Sequence, residues 1–291
     1  MTDLRAEAIA LYDRFTHEGF DRRAFMSELT RLAGSTAAAG VLLASISADP
    51  AAAAVTQEAD PTLIIRRVSP ELRGHKMKSY VAMPRAAGGK RLGTVVVIHE
   101  NRGLNRHIED VTRRIALEGY IAVAPDFLSV VGGTPVDEDK AREAIGKLDL
   151  ADTVADAVAG LERARSHARS NGKVGAVGFC WGGAFVNRLA VAAGNRLDAG
   201  VAYYGPAPDP SEATKVKAAM LLHFAGLDER VNATGLPWAE ALKKAGAEVE
   251  AYTYSGVNHA FNNDTSSERY DKGAADLAWQ RTVALLKRKL A

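Results

Sequence analysis

A single cysteine, Cys180, is the only thiol among the 291 residues. One thiol excludes an internal disulfide, and no Cys/His spacing resembles a zinc site, so neither a metal nor any other cofactor is expected. Charge of one sign is also missing, since 37 Lys and Arg against 35 Asp and Glu leave a net charge of +2. That balance offers no basic face large enough to make nucleic acid the main partner. No lysine follows the glycines as a phosphate-binding loop requires. An uninterrupted apolar run of spanning length is absent too. The mildest candidate, Leu32 to about Ala48, is broken by Gly34, Ser35, Thr36 and Gly40, so stable membrane insertion is not expected. What is present is ordinary for a globular protein, 47% hydrophobic and 25% charged. The length suits one large α/β domain with an appendage, and such a core needs no disulfide or structural metal.

The first 54 residues differ in composition from the rest, holding five basic and seven acidic side chains. Within them Arg22-Arg23 precede Phe25-Met26, a mild apolar run, and the small residues Ala51 to Ala54. That order resembles a twin-arginine export leader, which would direct the chain to the periplasm. The alternative is a helical extension packed on a cytoplasmic protein, since Leu4, Ala8, Leu11 and Phe15 fall at helical spacing. The acidity counts against a leader, whose first region is normally positive. The division is therefore 1–54, leader or helical extension, and 55–291, the main domain.

Beyond Asp60 strands alternate with helices. The spacing predicts strands within Val68–Met83 and at Thr94–His99, Tyr120–Ala124, Val174–Phe179, Ala199–Tyr204, Ala219–Phe224 and Glu248–Tyr254. Helices are predicted over Ile108–Leu117, Asp137–Lys147, Ala151–Arg169, Gly182–Ala193 and Leu236–Ala245, with a last one ending at Leu290. This alternation implies a mostly parallel sheet covered on both faces.

Gly178-Phe179-Cys180-Trp181-Gly182-Gly183 stands directly after one predicted strand and opens a helix. This is a nucleophile elbow with cysteine in the serine position: the turn is so tight that the residues two before and two after must lack bulk. An inert buried cysteine in a glycine-rich turn is the plainer alternative. The elbow also sets Cys180 at a helix N-terminus, which favours negative charge. Asp228 follows the next strand but one, and His259 the last strand. Nucleophile, acid, histidine is the chain order of the α/β-hydrolase fold. His259 would move the proton and Asp228 would fix its tautomer. Taken singly, Asp228 reads equally well as a helix N-cap and His259 as a turn residue.

Over residues 65 to 290 the sequence resembles the dienelactone hydrolase (carboxymethylenebutenolidase) family of α/β-hydrolases. The resemblance rests on His99-Glu100-Asn101-Arg102-Gly103-Leu104, Ile108-Glu109-Asp110-Val111, Arg113-Arg114, Gly119 to Asp126, the elbow, Gly226-Leu227-Asp228 and Asn258-His259-Ala260-Phe261. It implies that Glu100 contacts the resting nucleophile and helps activate it. It also implies an oxyanion hole from the backbone N–H groups of Asn101 and Trp181, worth roughly 3–4 kcal/mol each. One departure matters. The family holds a substrate carboxylate with arginines, one of them four residues after the histidine, and here that position is Asn263. A neutral amide cannot form the bidentate charged clamp. Asn263 itself, Arg102 and Arg269 are the candidates for substrate binding, the two arginines being able to replace the missing charge.

The expectation is a metal-independent hydrolase of small esters or lactones acting through an acyl-cysteine. Its partner is a small molecule, and a homodimer is left open. The alternative is a weakly catalytic member of the fold that binds a ligand or senses oxidants through Cys180. A serine-type esterase is excluded by the cysteine at the elbow.

Overall fold

The computed structural model describes residues 4–47 and 54–291. The chain opens with three helices, α1 (Leu4–His17), α2 (Arg22–Ala33) and α3 (Thr36–Ile46). Asp21 starts α2 by accepting N–H bonds from Arg23 and Ala24, and Gly34 ends it in the left-handed conformation. The paired arginines thus occupy the first turn of a helix. Of the expected small-residue stretch, Ala51–Ala53 lie outside the described residues. Among the described residues no single helix is long and apolar enough to cross a membrane; α2 and α3 together are, but they bend by 107°.

The remainder is built on an eight-stranded sheet. Its strands are β1 (Leu63–Val68), β4 (Ser79–Pro84), β5 (Leu92–Ile98), β6 (Ile121–Pro125), β7 (Ser170–Phe179), β8 (Ala199–Tyr203), β9 (Ala219–Ala225) and β10 (Val249–Tyr254). The two-residue strands β2 (Glu71–Leu72) and β3 (His75–Lys76) make a small separate hairpin. The order in the sheet is β1-β4-β6-β5-β7-β8-β9-β10. The first two pairings, β1 with β4 and β4 with β6, are antiparallel, and the rest are parallel. The helices that follow are α4 (Arg106–Leu117), α5 (Glu138–Gly146), α6 (Leu150–Arg165), α7 (Trp181–Ala193), α8 (Glu229–Lys244) and α9 (Lys272–Leu290).

The period of two along β5 shows how the layers form. Val95 and Val97 join the core beneath Ile108, Val111 and Ile115 of α4 and Leu285 and Leu286 of α9. Val96 and Ile98 point the other way, into the core shared with Leu161 of α6, Phe185 and Leu189 of α7, and Trp238 and Leu242 of α8. A strand apolar on both faces reads as a continuous run, as Thr94–Ile98 does. From β5 the chain passes by α4 to β6 on one side, while β7 pairs on its other side. The crevice at such a reversal is where open α/β sheets hold ligands.

Two elements depart from the spacing. A strand lies at Leu63–Val68, ahead of the predicted stretch. It is an edge strand buried mainly at Leu63, so Arg66 and Arg67 interrupt its apolar pattern. Helix α8 begins at Glu229, seven residues before the predicted start, and carries Pro237 inside it. Gly235 lets this helix lie on β9, for a Cβ there would sit 2.3 Å from the ring of Phe224.

Candidate active site

The elbow has the geometry that its glycines demand. Cys180 adopts φ 55° and ψ −114° between β7 and α7. A Cβ on Gly178 would stand 2.2 Å from the carbonyl oxygen of Gly182, and one on Gly182 would stand 2.4 Å from that of Ile98. The turn is therefore pressed against the end of β5, which carries Glu100 and Asn101. Trp181 opens α7, so its N–H is among the first-turn groups without an intrahelical acceptor. Of the four described non-glycine residues with positive φ, three are Cys180, Tyr204 (φ 37°) and Ala260 (φ 64°). These follow β7, follow β8 and adjoin His259. Such conformations cost about 1–3 kcal/mol each and gather where function overrides local preference.

Asp228 and His259 meet as expected, with His259 Nδ1 2.5 Å from Asp228 Oδ2. The plainer reading of Asp228 is also correct, because its Oδ1 accepts the N–H of Val231 and caps α8. One carboxylate thus fills both roles. His259 is 2% exposed, and burial alone would lower its pKa. The Asp228 carboxylate and Cys180 outweigh this and raise it above the ordinary imidazole value. Burial likewise pushes Asp228 upward, but His259 and the Val231 N–H bring it below the usual carboxylate value. The two form a charged pair. His259 Nε2 has no hydrogen-bond partner, and a ring nitrogen of His259 lies within 4.8 Å of Cys180 Sγ.

The neighbouring histidine explains why a polar residue follows β5 directly. His99 Nδ1 is 2.8 Å from the carbonyl oxygen of Glu100, and its Nε2 accepts the N–H of Phe127. Both contacts suit one neutral tautomer, with the proton on Nδ1. The ring also stacks on Trp181 at 5.2 Å. His99 therefore anchors the turn bearing Glu100 and the elbow together. The Ile108–Arg114 segment is structural in the same sense. Arg67 pairs with Glu109, and Arg114 bridges Asp110 and Asp264. The latter bridge ties the loop after His259 to α4.

Glu100 is buried and accepts a 3.0 Å bond from Asn263 Nδ2. Asn263 thus supports Glu100, and its own oxygen is occupied by Thr265. Arg102 is engaged by Tyr12 and Glu138. Arg269 donates to the carbonyl oxygen of Ile46 and lies 3.8 Å from Asp13. Both arginines therefore already hold the N-terminal helices.

Those helices supply what the spacing did not reveal. The C-terminal turn of α1 docks on the site, where Asn101 Nδ2 donates to the carbonyl oxygen of Thr16 and Arg142 to that of Phe15. These bonds satisfy two of the carbonyls that a helix end leaves open. His17 then stands with Nδ1 3.9 Å from Cys180 Sγ and its ring 4.6 Å from that of His259. Burial, then the charges of His259 and nearby arginines, hold its pKa well below the usual value and favour the neutral imidazole. Thr16, His17, Asn101 and Cys180 divide two cavities. The one toward Glu100 and Arg269 keeps only about 20 Å³ free. The other, about 640 Å³, opens between Phe15, Phe20, Trp181 and Phe185, with Arg188 and Arg230 on its wall.

Residues 77–290 match the model of the dienelactone hydrolase family. A protein of Escherichia coli (strain K12) named "Putative carboxymethylenebutenolidase" is 31% identical over 256 residues, covering 83% of this chain and 93% of its own length. "Protein usf" of Aquifex pyrophilus is 34% identical over 229 residues, covering 76% and 96%. Among solved structures, one described as a putative dienelactone hydrolase from Klebsiella pneumoniae superposes with a TM-score of 0.71 at 29% identity, covering 78% of this chain and 99% of that one. With the α/β-hydrolase sheet, the elbow and the matched length all in agreement, the chain belongs to the dienelactone hydrolase family.

Proposed function

We propose that this hydrolase cleaves a small ester or lactone by way of an acyl-cysteine on Cys180, with His259 and Asp228 completing the triad. The observation that carries the reading is the Asp228–His259 pair at 2.5 Å, which leaves a buried, unpartnered Nε2 facing the thiol. With the thiol proton on His259, the sulfur attacks the carbonyl carbon and the C–O bond breaks. The proton of His259 passes to the leaving alkoxide. A water then gives its proton to His259 and its oxygen to the thioester, and the acid departs as the thiol is restored. The backbone N–H groups of Asn101 and Trp181 are assigned to the oxyanion. Glu100 is assigned to activation, supported by its place beside Cys180 and its bond from Asn263. Because α1 fills the compartment toward Arg269, the bulk of the substrate is assigned to the larger cavity beside Trp181 and Phe185.

A chromogenic short-chain ester assay tests the reading, together with alkylation of the thiol. Turnover should vanish on alkylation and in Cys180→Ala, and full activity in that variant would end the proposal. An oxidant sensor is disfavoured, because sensing needs neither the Asp228–His259 pair nor its place beside the thiol.

A further inference from the structure

Three donor atoms converge at the end of α1 from positions 17, 180 and 259, too far apart in sequence for any spacing rule. His17, Cys180 and His259 each offer one ligand atom, and these atoms lie within 4.8 Å of one another. The 3.9 Å between Cys180 Sγ and His17 Nδ1 compares with about 3.6 Å for the sulfur–nitrogen edge of a tetrahedral zinc site, from metal–ligand bonds of about 2.3 and 2.0–2.1 Å. Seating an ion requires the widest of the three separations, at most 4.8 Å, to close to about 3.3–3.6 Å. The donor on His259 is Nε2, because Nδ1 is held by Asp228, and the ion displaces to solvent the proton that the charged histidine carries there. That Nε2 is buried without a partner, on a residue 2% exposed.

We propose that His17, Cys180 and His259 form a binding site for a zinc-class divalent ion, and that its occupation pins α1 over the nucleophile and switches hydrolysis off. The donor set selects the ion: one thiolate and two imidazoles suit zinc or cobalt, and are the wrong ligands for magnesium or calcium. The outer layer is already in place. Asp228 on His259 Nδ1 is the carboxylate–histidine arrangement that orients imidazole ligands of zinc. His17 is held by the two bonds that Asn101 and Arg142 give to the carbonyls just before it. The end of α1 that meets the site is its C-terminus, whose partial negative charge favours a cation. All three residues line the small cavity toward Glu100 and Arg269, and His17 and Cys180 also line the larger one, from which water can reach the fourth position. Inhibition rests on Cys180 being the nucleophile, whereas binding of the ion does not.

The test uses the full chain, stripped by a chelator and titrated with cobalt(II). Saturation at one ion per chain is expected, with thiolate-to-cobalt absorption in the near ultraviolet and displacement by zinc. His17→Gln should weaken cobalt binding at least ~10-fold. His17→Cys should restore it with stronger thiolate absorption, which separates a lost ligand from a lost helix. Zinc should depress ester hydrolysis over the range in which it displaces cobalt, and chelator should restore the rate. Binding in His17→Gln equal to that of the unaltered chain, or saturation without thiolate absorption, would overturn the site. Zinc that binds there and leaves the rate of an active enzyme unchanged would overturn the switch. If the stripped chain hydrolyses no ester, the proposed function fails while the cobalt spectrum still decides the site.

Discussion

The two halves of this candidate active site are held in place by different physics. Cys180, Asp228 and His259 sit on loops after β7, β9 and β10, over two apolar cores that run the length of the sheet. His17 arrives on a layer with a core of its own, in which Phe15 stacks on Phe25 at 4.4 Å and Leu11, Leu29 and Ile46 are buried. That layer meets the main domain largely through polar contacts, such as Arg5 with Glu268 and Ser266 with the carbonyl oxygen of Ile46. Apolar burial stabilises roughly in proportion to the area removed from water. Exposed ion pairs are worth only about 0–1 kcal/mol each. The main domain therefore presents the proposed triad over its own cores, and the N-terminal layer docks on it with a separate core.

The largest expected effect lies on the main-domain side. Cys180→Ala should lower ester turnover by at least ~10⁴-fold, and His259→Ala by ~10²–10⁴-fold, both measured with a chromogenic ester on folded protein. Asp228→Asn should cost somewhat less in rate and should also alter the pH profile. It removes the carboxylate that raises His259, so the histidine-dependent limb of thiol alkylation should move to lower pH. The stability effect follows with the same sign. A histidine raised in the folded state adds stability that is complete below about 6.5 and lost as pH rises through its folded value. The variant should lose that slope in a pH series of melting temperatures.

Next comes the elbow itself. Gly182→Ala puts a methyl group against the backbone carbonyls of Ile98 and His99, at 2.4 and 2.6 Å. A destabilisation of about 3 kcal/mol, or roughly 6–12 °C in Tm, is expected. On the other side, Phe25→Ala should cost the N-terminal layer about 3–5 kcal/mol. Its amides should lose hydrogen-exchange protection while β5 to β9 keep theirs. Simultaneous loss in both regions would show that the two halves are one cooperative unit. The smallest structural effect belongs to Arg22→Lys with Arg23→Lys, where Arg22 pairs with the partly exposed Asp139. Stability should change by less than about 1 kcal/mol. The same variant, with N-terminal sequencing of protein from native cells, separates the two readings of the first 54 residues. Export through a twin-arginine route would stop, whereas a resident helical layer would be indifferent.

The elbow was legible because its requirement is local. A steric limit two residues either side of Cys180 leaves glycine as the answer, and the sequence writes it out. The order of Asp228 and His259 was legible because the parallel sheet turns chain order into spatial order. Helix α8 was misplaced because Gly235 and Pro237 look like a boundary, while the cap at Asp228 and the packing on Phe224 hold the helix through them. The docking of α1 was not legible at all. His17 and Cys180 are 163 residues apart, and the bonds that join their elements run from side chains to backbone carbonyls, which carry no sequence signal. For the same reason the fate of Arg102 and Arg269 could be read only from the structure.

Asp228 gives one oxygen to the helix and the other to the histidine, so in the proposed triad the first turn of α8 is a gauge for proton transfer. A carboxylate anchored at Oδ1 cannot swing, so the direction in which Oδ2 points is set by the pitch of a helix whose far end lies well away from the chemistry. Lengthening the arm to glutamate would keep the charge and lose the calibration. Loosening α8 anywhere that lets its first turn fray would detune His259 without touching it. Substitutions along that helix should therefore register as errors in timing, with the proton arriving at the wrong angle, before they register as loss of fold.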